Sequence, residues 1–197
     1  MTRIVAGTVG GRSLQVPPKG TRPTSDRVRE AIFSRLEHYG VLEGAYVLDL
    51  YAGSGALGLE AASRGAQKVV LVDAARVAAE VCRTNVRTLG LTNVQVVQDK
   101  AEKFVLSPPT TTWDVVFIDP PYDLAEAVVA ELLRQLSTTA ALVDDAVVVV
   151  ERSTRSPEPQ WPAGWELLAR KDYGETAVYY AGPASTGGAS GEESGAS

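Results

Sequence analysis

The stretch DLYAGSGALG, residues 49–58, decides the fold of this chain. It continues an apolar run over 46–50 and places three glycines, Gly53, Gly55 and Gly58, at the spacing G-x-G-x-x-G. Glycines at this spacing let the chain turn sharply and let a ligand approach the backbone where a helix begins. The stretch therefore predicts a β-strand, a ligand-binding turn and an α-helix, the first unit of a nucleotide-binding α/β fold.

Strand-like and helical patterns alternate through the rest of the chain. Apolar runs predict five strands, at 46–50, 68–73, 94–98, 113–119 and 145–151. This alternation is typical of a parallel sheet covered by helices on both faces. Two further runs, at 165–172 and 175–181, are joined at Gly174 and predict a closing antiparallel hairpin. We expect an α/β fold with a Rossmann-like, seven-stranded, mostly parallel sheet and an antiparallel terminal hairpin.

The residues before the first of these strands predict an N-terminal extension. Runs at 3–6 and 12–16, separated by glycines, indicate a short β-hairpin. Thr24 or Ser25 then caps a helix on which apolar residues follow helical spacing and arginines lie elsewhere around it: Val28, Ala31, Ile32 and Leu36 against Arg27, Arg29 and Arg35. We divide the chain into a basic hairpin-and-helix extension (1–40), a main domain (41–181) and a disordered tail (182–197) with almost nothing to bury.

The composition argues against several kinds of site. The chain has 197 residues, with one cysteine, Cys82, and one histidine, His38. It is long enough for one well-buried domain, and a disulfide framework, a Cys/His zinc site or a Ser-His-Asp triad is not expected. Because no run approaches the roughly 18 apolar residues of a membrane span, we expect no membrane contact. We also expect a cytoplasmic protein without a metal site.

Charge is distributed unevenly along the chain. The net charge is −5, yet residues 1–29 carry six basic side chains and one acidic one. Contact with phosphate groups needs only a local positive surface, so this segment predicts a polyanionic partner. The alternative is that the arginine-rich helix start is an ordinary solvated face.

Acidic residues around the glycine turn indicate an adenosine cofactor. Asp73 ends the strand that follows, 20 residues beyond Gly53, where a carboxylate can accept both ribose hydroxyl hydrogens. NAD and S-adenosylmethionine both suit such a turn. Asp49 favours S-adenosylmethionine because it can meet the cationic amino-acid end, and no separate domain remains to hold a hydride-transfer substrate.

Asp99, after the strand VQVVQ, has two interpretations. Its carboxylate can accept from the adenine amino group of a cofactor. Alternatively, Asp99 and Glu102 form the pattern D-x-x-E, which is close to a capping box for a helix over 100–106.

The tetrapeptide Asp119-Pro120-Pro121-Tyr122 follows a buried strand and suits chemistry on a nucleobase amine. The lone pair of an exocyclic amine is delocalised into the ring, so acceptors must hold the amine before it can attack an electrophile. Asp119 and the Pro120 carbonyl supply acceptors, since proline has no competing N–H, and Tyr122 can stack on the base. The alternative is a rigid turn after the strand with a packed tyrosine.

The order of these motifs resembles the RsmD family, bacterial methyltransferases that act on the exocyclic N2 of a guanine in 16S ribosomal RNA. The resemblance covers roughly residues 1–181. Its segments are the N-terminal hairpin, RPTSDRVRE at 22–30, the cofactor loop with SRGA at 63–66, the tetrapeptide at 119–122 and YGET at 173–176. Tyr51 stands where phenylalanine is common in the family, and Asp73 where glutamate is common.

The resemblance implies a methyltransferase fold with S-adenosylmethionine as cofactor and 16S ribosomal RNA, within the small subunit, as partner. We also expect a monomer, and the expected site residues form three groups. The catalytic residues are Asp119, Pro120, Pro121 and Tyr122. The cofactor residues are Asp49, Tyr51, Gly53, Ser54, Gly55, Asp73 and Asp99. The residues expected on RNA phosphates are Arg3, Arg12, Arg22, Arg27 and Arg29.

Other classes of protein share parts of this pattern. A DNA adenine-N6 or cytosine-N4 methyltransferase uses the same acceptor geometry, but its duplex readout is poorly served by so short a chain. A non-catalytic RNA-binding or assembly protein would keep the fold without needing an intact tetrapeptide. An NAD dehydrogenase is the most distant alternative.

Overall fold

The computed structural model describes residues 1–18 and 24–185 and contains two sheets and five helices within them. The strands are β1 Thr2–Arg3, β2 Ser13–Leu14, β3 Tyr46–Leu50, β4 Lys68–Asp73, β5 Val94–Gln98, β6 Trp113–Ile118, β7 Leu142–Ser153, β8 Trp165–Tyr173 and β9 Thr176–Pro183. The helices are α1 Asp26–Tyr39, α2 Ala56–Ser63, α3 Arg76–Leu89, α4 Ala101–Leu106 and α5 Glu126–Thr138.

The main sheet has seven strands in the order β5-β4-β3-β6-β7-β9-β8. The first five in this order run parallel, and β9 is antiparallel to both β7 and β8. The central strands are buried on both faces because helices cover both, which explains their continuous apolar runs. The predicted α/β fold with a terminal antiparallel hairpin is confirmed.

The ends of the sheet differ from the prediction in two places. Only Thr2–Arg3 and Ser13–Leu14 pair in the N-terminal hairpin, which is shorter than the runs 3–6 and 12–16 suggested. At the other end, β9 continues through Gly182 and Pro183, which the sequence assigned to the tail. Gly182 allows this because a Cβ there would lie 2.1 Å from the Ala146 carbonyl oxygen. Of the predicted disordered tail, residues 186–197 lie outside the described part.

The N-terminal extension packs on the main domain. Ile4, Ile32 and Phe33 are fully buried in the core that α1, α2 and α3 form on one face of the sheet. The rings of Phe33 and Phe117 lie 5.6 Å apart, which places α1 directly on β6. The boundary near residue 40, which remains a prediction, therefore crosses a continuous core.

Ser25 is the N-cap of α1, and its hydroxyl accepts from the Val28 amide at 3.2 Å. Of the two predicted caps, Ser25 is therefore the one used, and the Thr24 side chain does not cap the helix. In the described residues, no helix combines the length and apolar character needed to cross a membrane.

Candidate functional site

The predicted site residues meet at the carboxyl edge of the sheet. Leu50 of β3 pairs with Ile118 of β6 on one side and with Val72 of β4 on the other. Tyr51, Asp119 and Asp73 directly follow these three residues. Strand order reverses at β3, and open α/β sheets bind ligands at such a switch point. Neighbouring strands lie about 4.8 Å apart, so the glycine turn and the tetrapeptide begin side by side.

The glycine turn has the backbone conformation that its sequence requires. Gly53 and Gly55 have φ angles of 59° and 85°, and Tyr51 adopts φ 61°, which is unusual for a residue with a side chain. Gly58 serves packing instead, because a Cβ there would lie 2.3 Å from Leu71 Cδ2. The Ser54 carbonyl accepts from the Asn85 side chain at 2.9 Å, which ties the turn to α3.

Asp49 lies beneath this turn, with 1% of its surface exposed. Its Oδ2 accepts from the Gly58 amide at 3.0 Å. Its Oδ1 is buried and has no hydrogen-bond partner among the described residues. Burial raises the pKa of Asp49 to about 8, and the nearby charges of Asp119 and Asp73 add to the rise. A buried carboxyl oxygen without a partner is unfavourable by itself and is the natural complement of a cationic ligand.

A cavity of about 450 Å³ opens beside β4. Its lining residues are Tyr51, Val72, Asp73, Ala74, Lys100, Ala101 and Glu102. The Tyr51 hydroxyl donates to Glu102 at 3.0 Å. Asp73 accepts from the Gly53 amide through Oδ2 and from the Ala75 amide through Oδ1, each at 2.9 Å. The carboxylate at the cavity edge is thereby fixed in orientation, with further lone pairs on both oxygens.

Asp99 lies at the same end of the sheet, where its amide donates to the Asp73 carbonyl at 3.1 Å. The alternative interpretation, in which Asp99 and Glu102 form a capping box, is wrong. Helix α4 begins after Lys100, which is its N-cap, and no side chain caps it. Asp99 Oδ1 accepts from the adjacent Lys100 amide, while Glu102 is engaged by Tyr51.

Asp119 belongs to a group of polar side chains that includes two residues that the sequence did not indicate as site residues, Thr24 and Glu151. The Thr24 hydroxyl lies 3.2 Å from Asp119 Oδ2 and 3.2 Å from Glu151 Oε1. Burial raises the pKa of both carboxyl groups, and the negative charge of Asp119 raises that of Glu151 further. One feature of the sequence could have pointed to Glu151: the charged pair Glu151-Arg152 directly follows the apolar run 146–150.

Arg152 holds the loop that carries the tetrapeptide. Its side chain is 1% exposed and donates to the Leu124 carbonyl at 2.8 Å, to Glu126 at 2.6 Å and to the Pro121 carbonyl at 3.3 Å. The Leu124 amide also donates to the Pro121 carbonyl, at 3.0 Å. Because the Pro121 carbonyl is engaged, the Pro120 carbonyl is the candidate acceptor for a substrate.

Tyr122 is 43% exposed, so its ring is not packed in the core as the alternative interpretation required. Its hydroxyl lies 3.0 Å from Thr176 Oγ1 at the start of β9. One end of the ring is therefore held while much of its surface stays accessible, which suits stacking on a planar ligand.

Comparison with known proteins places the chain in a family. A family model described as conserved hypothetical protein 95 matches residues 2–182. Ribosomal RNA small subunit methyltransferase D of Escherichia coli (strain K12) is 39% identical over 176 residues, which cover 89% of this chain and 86% of that protein. The protein of the same name from Haemophilus influenzae is 36% identical over 178 residues, which cover 87% of this chain and 89% of that protein.

This chain belongs to the RsmD family of methyltransferases. Solved structures agree with the family and the fold. A structure from Escherichia coli superposes with a TM-score of 0.81 at 37% identity and covers 91% of this chain and 96% of that one. A structure from Thermus thermophilus has a TM-score of 0.78 at 31% identity, and the match covers 91% of this chain and 98% of that one. The resemblance predicted from the motifs is confirmed.

The basic residues predicted to contact RNA have different surroundings in this family member. The Arg3 side chain is 62% exposed and pairs with Asp26 at 3.1 Å. Arg12 is exposed and donates to the Thr88 carbonyl at 2.6 Å, and Arg27 is exposed on α1. Arg22 lies outside the described residues.

Arg29 corrects the prediction, because its side chain is fully buried and cannot contact an RNA phosphate in this structure. It donates to the Arg3 carbonyl and to Asp26 Oδ1, the latter at 2.8 Å, and its Nε lies 3.9 Å from Glu60 Oε2. Arg29 therefore joins the hairpin to α1 and α2.

No group of three or more His, Cys, Asp or Glu side chains in residues 1–18 and 24–185 is arranged to hold a metal ion. The Cys82 thiol is buried beneath the glycine turn and lies 3.2 Å from the Gly53 carbonyl oxygen. Burial raises its pKa, so a thiolate nucleophile is not favoured here.

Proposed function

We propose that this methyltransferase transfers a methyl group from S-adenosylmethionine to the exocyclic N2 of a guanine in 16S ribosomal RNA of the small ribosomal subunit. One observation carries the proposal: Asp119 and the glycine turn begin on adjacent, in-register strands at the switch point of the sheet. The relatives are named ribosomal RNA small subunit methyltransferase D, which supports the RNA substrate.

The residues of the site fit S-adenosylmethionine. Asp49 Oδ1, buried and without a partner in the described structure, would take the ammonium group. Asp73 would accept from the ribose hydroxyls, with Gly53, Ser54 and Gly55 against the amino-acid end. The cavity beside Tyr51 would hold the adenine, with Asp99 near its amino group. When bound, this cofactor supplies a methyl group on a positively charged sulfur, which makes that carbon electrophilic.

The tetrapeptide would hold and activate the acceptor amine. Asp119 and the Pro120 carbonyl would accept hydrogen bonds from the two amino hydrogens, which favours a pyramidal nitrogen as it gains positive charge. As the sulfur–methyl bond breaks and the nitrogen–methyl bond forms, the nitrogen becomes cationic, and it then releases one proton to Asp119 or to water. The carboxylate of Asp119 stabilises that charge in a site already shaped for it. Tyr122 stacks on the extruded base, a contact worth about 1–3 kcal/mol in comparable sites.

The RNA would be held by exposed arginines of the N-terminal extension, Arg3, Arg12 and Arg27, together with Arg22. We propose that the protein recognises a preformed RNA surface. We further propose that the protein acts as a monomer in the cytoplasm. The names of the relatives do not favour the DNA methyltransferase or the non-catalytic assembly protein.

The test is incubation with labelled S-adenosylmethionine and each of three substrates: naked 16S RNA, unmethylated small subunits and duplex DNA. We expect label on RNA alone, at N2 of one guanine when the modified base is mapped. The variant Asp119→Ala should lose transfer, whereas Asp123→Ala, which changes an exposed acid in the same loop, should keep it. Label on DNA, or full turnover by Asp119→Ala, would overturn the proposal.

A further inference from the structure

Three oxygen-bearing side chains meet where β6 and β7 end. Ile118 pairs with Val150 in the parallel ladder, so Asp119 and Glu151 are the next residues on adjacent strands. The Thr24 hydroxyl lies 3.2 Å from an oxygen of each. A hydroxyl has one hydrogen and can donate it to only one of the two carboxyl groups. If both carboxyl groups were ionised, two negative charges would share this single hydrogen, so the cluster favours a second proton.

The second proton belongs on Glu151. Two carboxyl groups in contact do not both ionise readily, and the more deeply buried one keeps the proton. Glu151 is 5% exposed, whereas Asp119 is only half-buried and is stabilised as an anion by hydrogen bonds from Glu151 and Thr24 and by the charge of Arg152. Thus burial and the charge of Asp119 raise the pKa of Glu151 well above its ordinary value.

The other groups that face Glu151 support the same assignment. Asp49 lies close enough for its charge to disfavour ionisation of Glu151. Tyr180 of β9 also lies near Glu151, and burial raises the pKa of its phenol, so it stays neutral and supplies no compensating charge. Arg152, the adjacent cation, points instead to the loop carbonyls and to Glu126. Within the described residues, no ion pair joins Glu151 to a cation.

We propose that Glu151 is a positioning residue that stays protonated at neutral pH and donates a hydrogen bond to Asp119, with Thr24 bridging the two. This inference rests on the proposed function, because it gives Asp119 its orientation toward the acceptor amine. Asp119 keeps its negative charge, which the amine requires, while its carboxylate is held in one rotamer. The N-terminal extension takes part directly, since Thr24 precedes α1.

Two variants with side chains about as long as that of glutamate test whether residue 151 must donate a hydrogen bond. Glu151→Gln keeps a neutral donor, and Glu151→Met removes it while preserving an unbranched side chain. We expect Glu151→Gln to keep kcat for methyl transfer within about threefold of the wild type, with the same loss of rate at acid pH. We expect Glu151→Met to lower kcat about tenfold or more, with unchanged cofactor affinity. In this variant the loss of kcat at acid pH should also begin at a higher pH than in the wild type.

A titration by carbon-13 NMR of the two carboxyl groups provides a readout that does not need RNA methylation. In the wild type, Asp119 should ionise first and Glu151 should stay protonated well above neutral pH. If the wild type proves inactive on RNA, the proposed function fails, but this titration still decides the protonation of Glu151. The inference is wrong if Glu151 ionises first, if Glu151→Gln loses as much kcat as Glu151→Met, or if Glu151→Met matches the wild type.

Discussion

Two buried clusters of charged side chains in this protein are built in opposite ways. In the first, Glu60 accepts from the Val5 and Ala6 amides and pairs with Arg64 at 3.0 Å, and Arg29 lies 3.9 Å away. In the second, Asp49, Asp119 and Glu151 are three acids gathered at the carboxyl edge of the sheet. The first cluster pairs its acid with arginines, whereas the second gathers acidic groups together.

This difference distinguishes charged groups that are buried to hold the fold together from acidic groups that are buried at a functional site. Removing a charge from water is unfavourable unless a partner compensates, and the Glu60 cluster supplies cations and amides for that purpose. The acidic cluster leaves Asp49 Oδ1 without a partner in the described residues, and burial raises the pKa of all three acids. Groups perturbed in this way mark functional sites in many proteins, because a ligand can complete the missing interactions.

The largest effect should come from breaking the balanced cluster. Glu60→Leu leaves Arg29 and Arg64 buried against an apolar side chain, so we expect the free energy of unfolding to fall by about 3–5 kcal/mol. Urea denaturation measures this loss. Glu30→Leu, which changes an exposed acid of α1, should change stability by less than about 0.5 kcal/mol. Equal effects of the two variants would contradict a structural role for Glu60.

Breaking the acidic cluster should affect catalysis rather than stability. We expect Asp119→Asn to lower kcat about 100-fold to 1,000-fold, because the variant cannot stabilise the positive charge on the amine. Calorimetry should show nearly unchanged affinity for S-adenosylmethionine, and the unfolding midpoint should not fall. A lost cofactor affinity would instead place Asp119 in the cofactor site.

Changing Asp49 should affect the pH dependence of stability and the affinity for the cofactor. Its folded pKa of about 8 lies above the ordinary value of an unfolded aspartate, so ionisation of the unfolded chain makes the wild type less stable as pH rises from about 4 to 8. Asp49→Asn should remove this part of the pH dependence, as measured by denaturation at several pH values. The same variant should lower the affinity for S-adenosylmethionine about tenfold, because the ammonium loses its anion.

The smallest effect concerns the exposed arginines. Arg27→Ala should weaken RNA binding a few-fold and reduce the slope of log affinity against log salt by about one, since one phosphate contact is lost. Filter binding at several salt concentrations measures both changes. Arg134→Ala, on the exposed side of α5, serves as the control and should leave the slope unchanged. A slope unaffected by Arg27→Ala would favour the solvated-face alternative.

The prediction that Arg29 contacts RNA was wrong because this residue lies on the buried face of α1. Arg29 lies three and four residues before Ile32 and Phe33, so it shares their buried side of α1. The sequence prediction placed it with the other arginines on a basic surface, and charged residues are indeed seldom fully buried unless paired. Its partners are Asp26 on the same helix and Glu60 on α2, and nothing local in the sequence indicates the second of these.

The sequence by itself determined the order of strands and helices, the glycine turn and the tetrapeptide, because each depends on neighbouring residues and on the periodicity of apolar side chains. Only the tertiary structure decided which charged groups are buried and which atoms they face. Thr24 and Glu151, 127 residues apart in the chain, meet at Asp119 because α1 packs on β6 and β7 lies beside it. Burial and charge pairing are properties of the folded chain, so the roles of Arg29, Thr24 and Glu151 could be assigned only there.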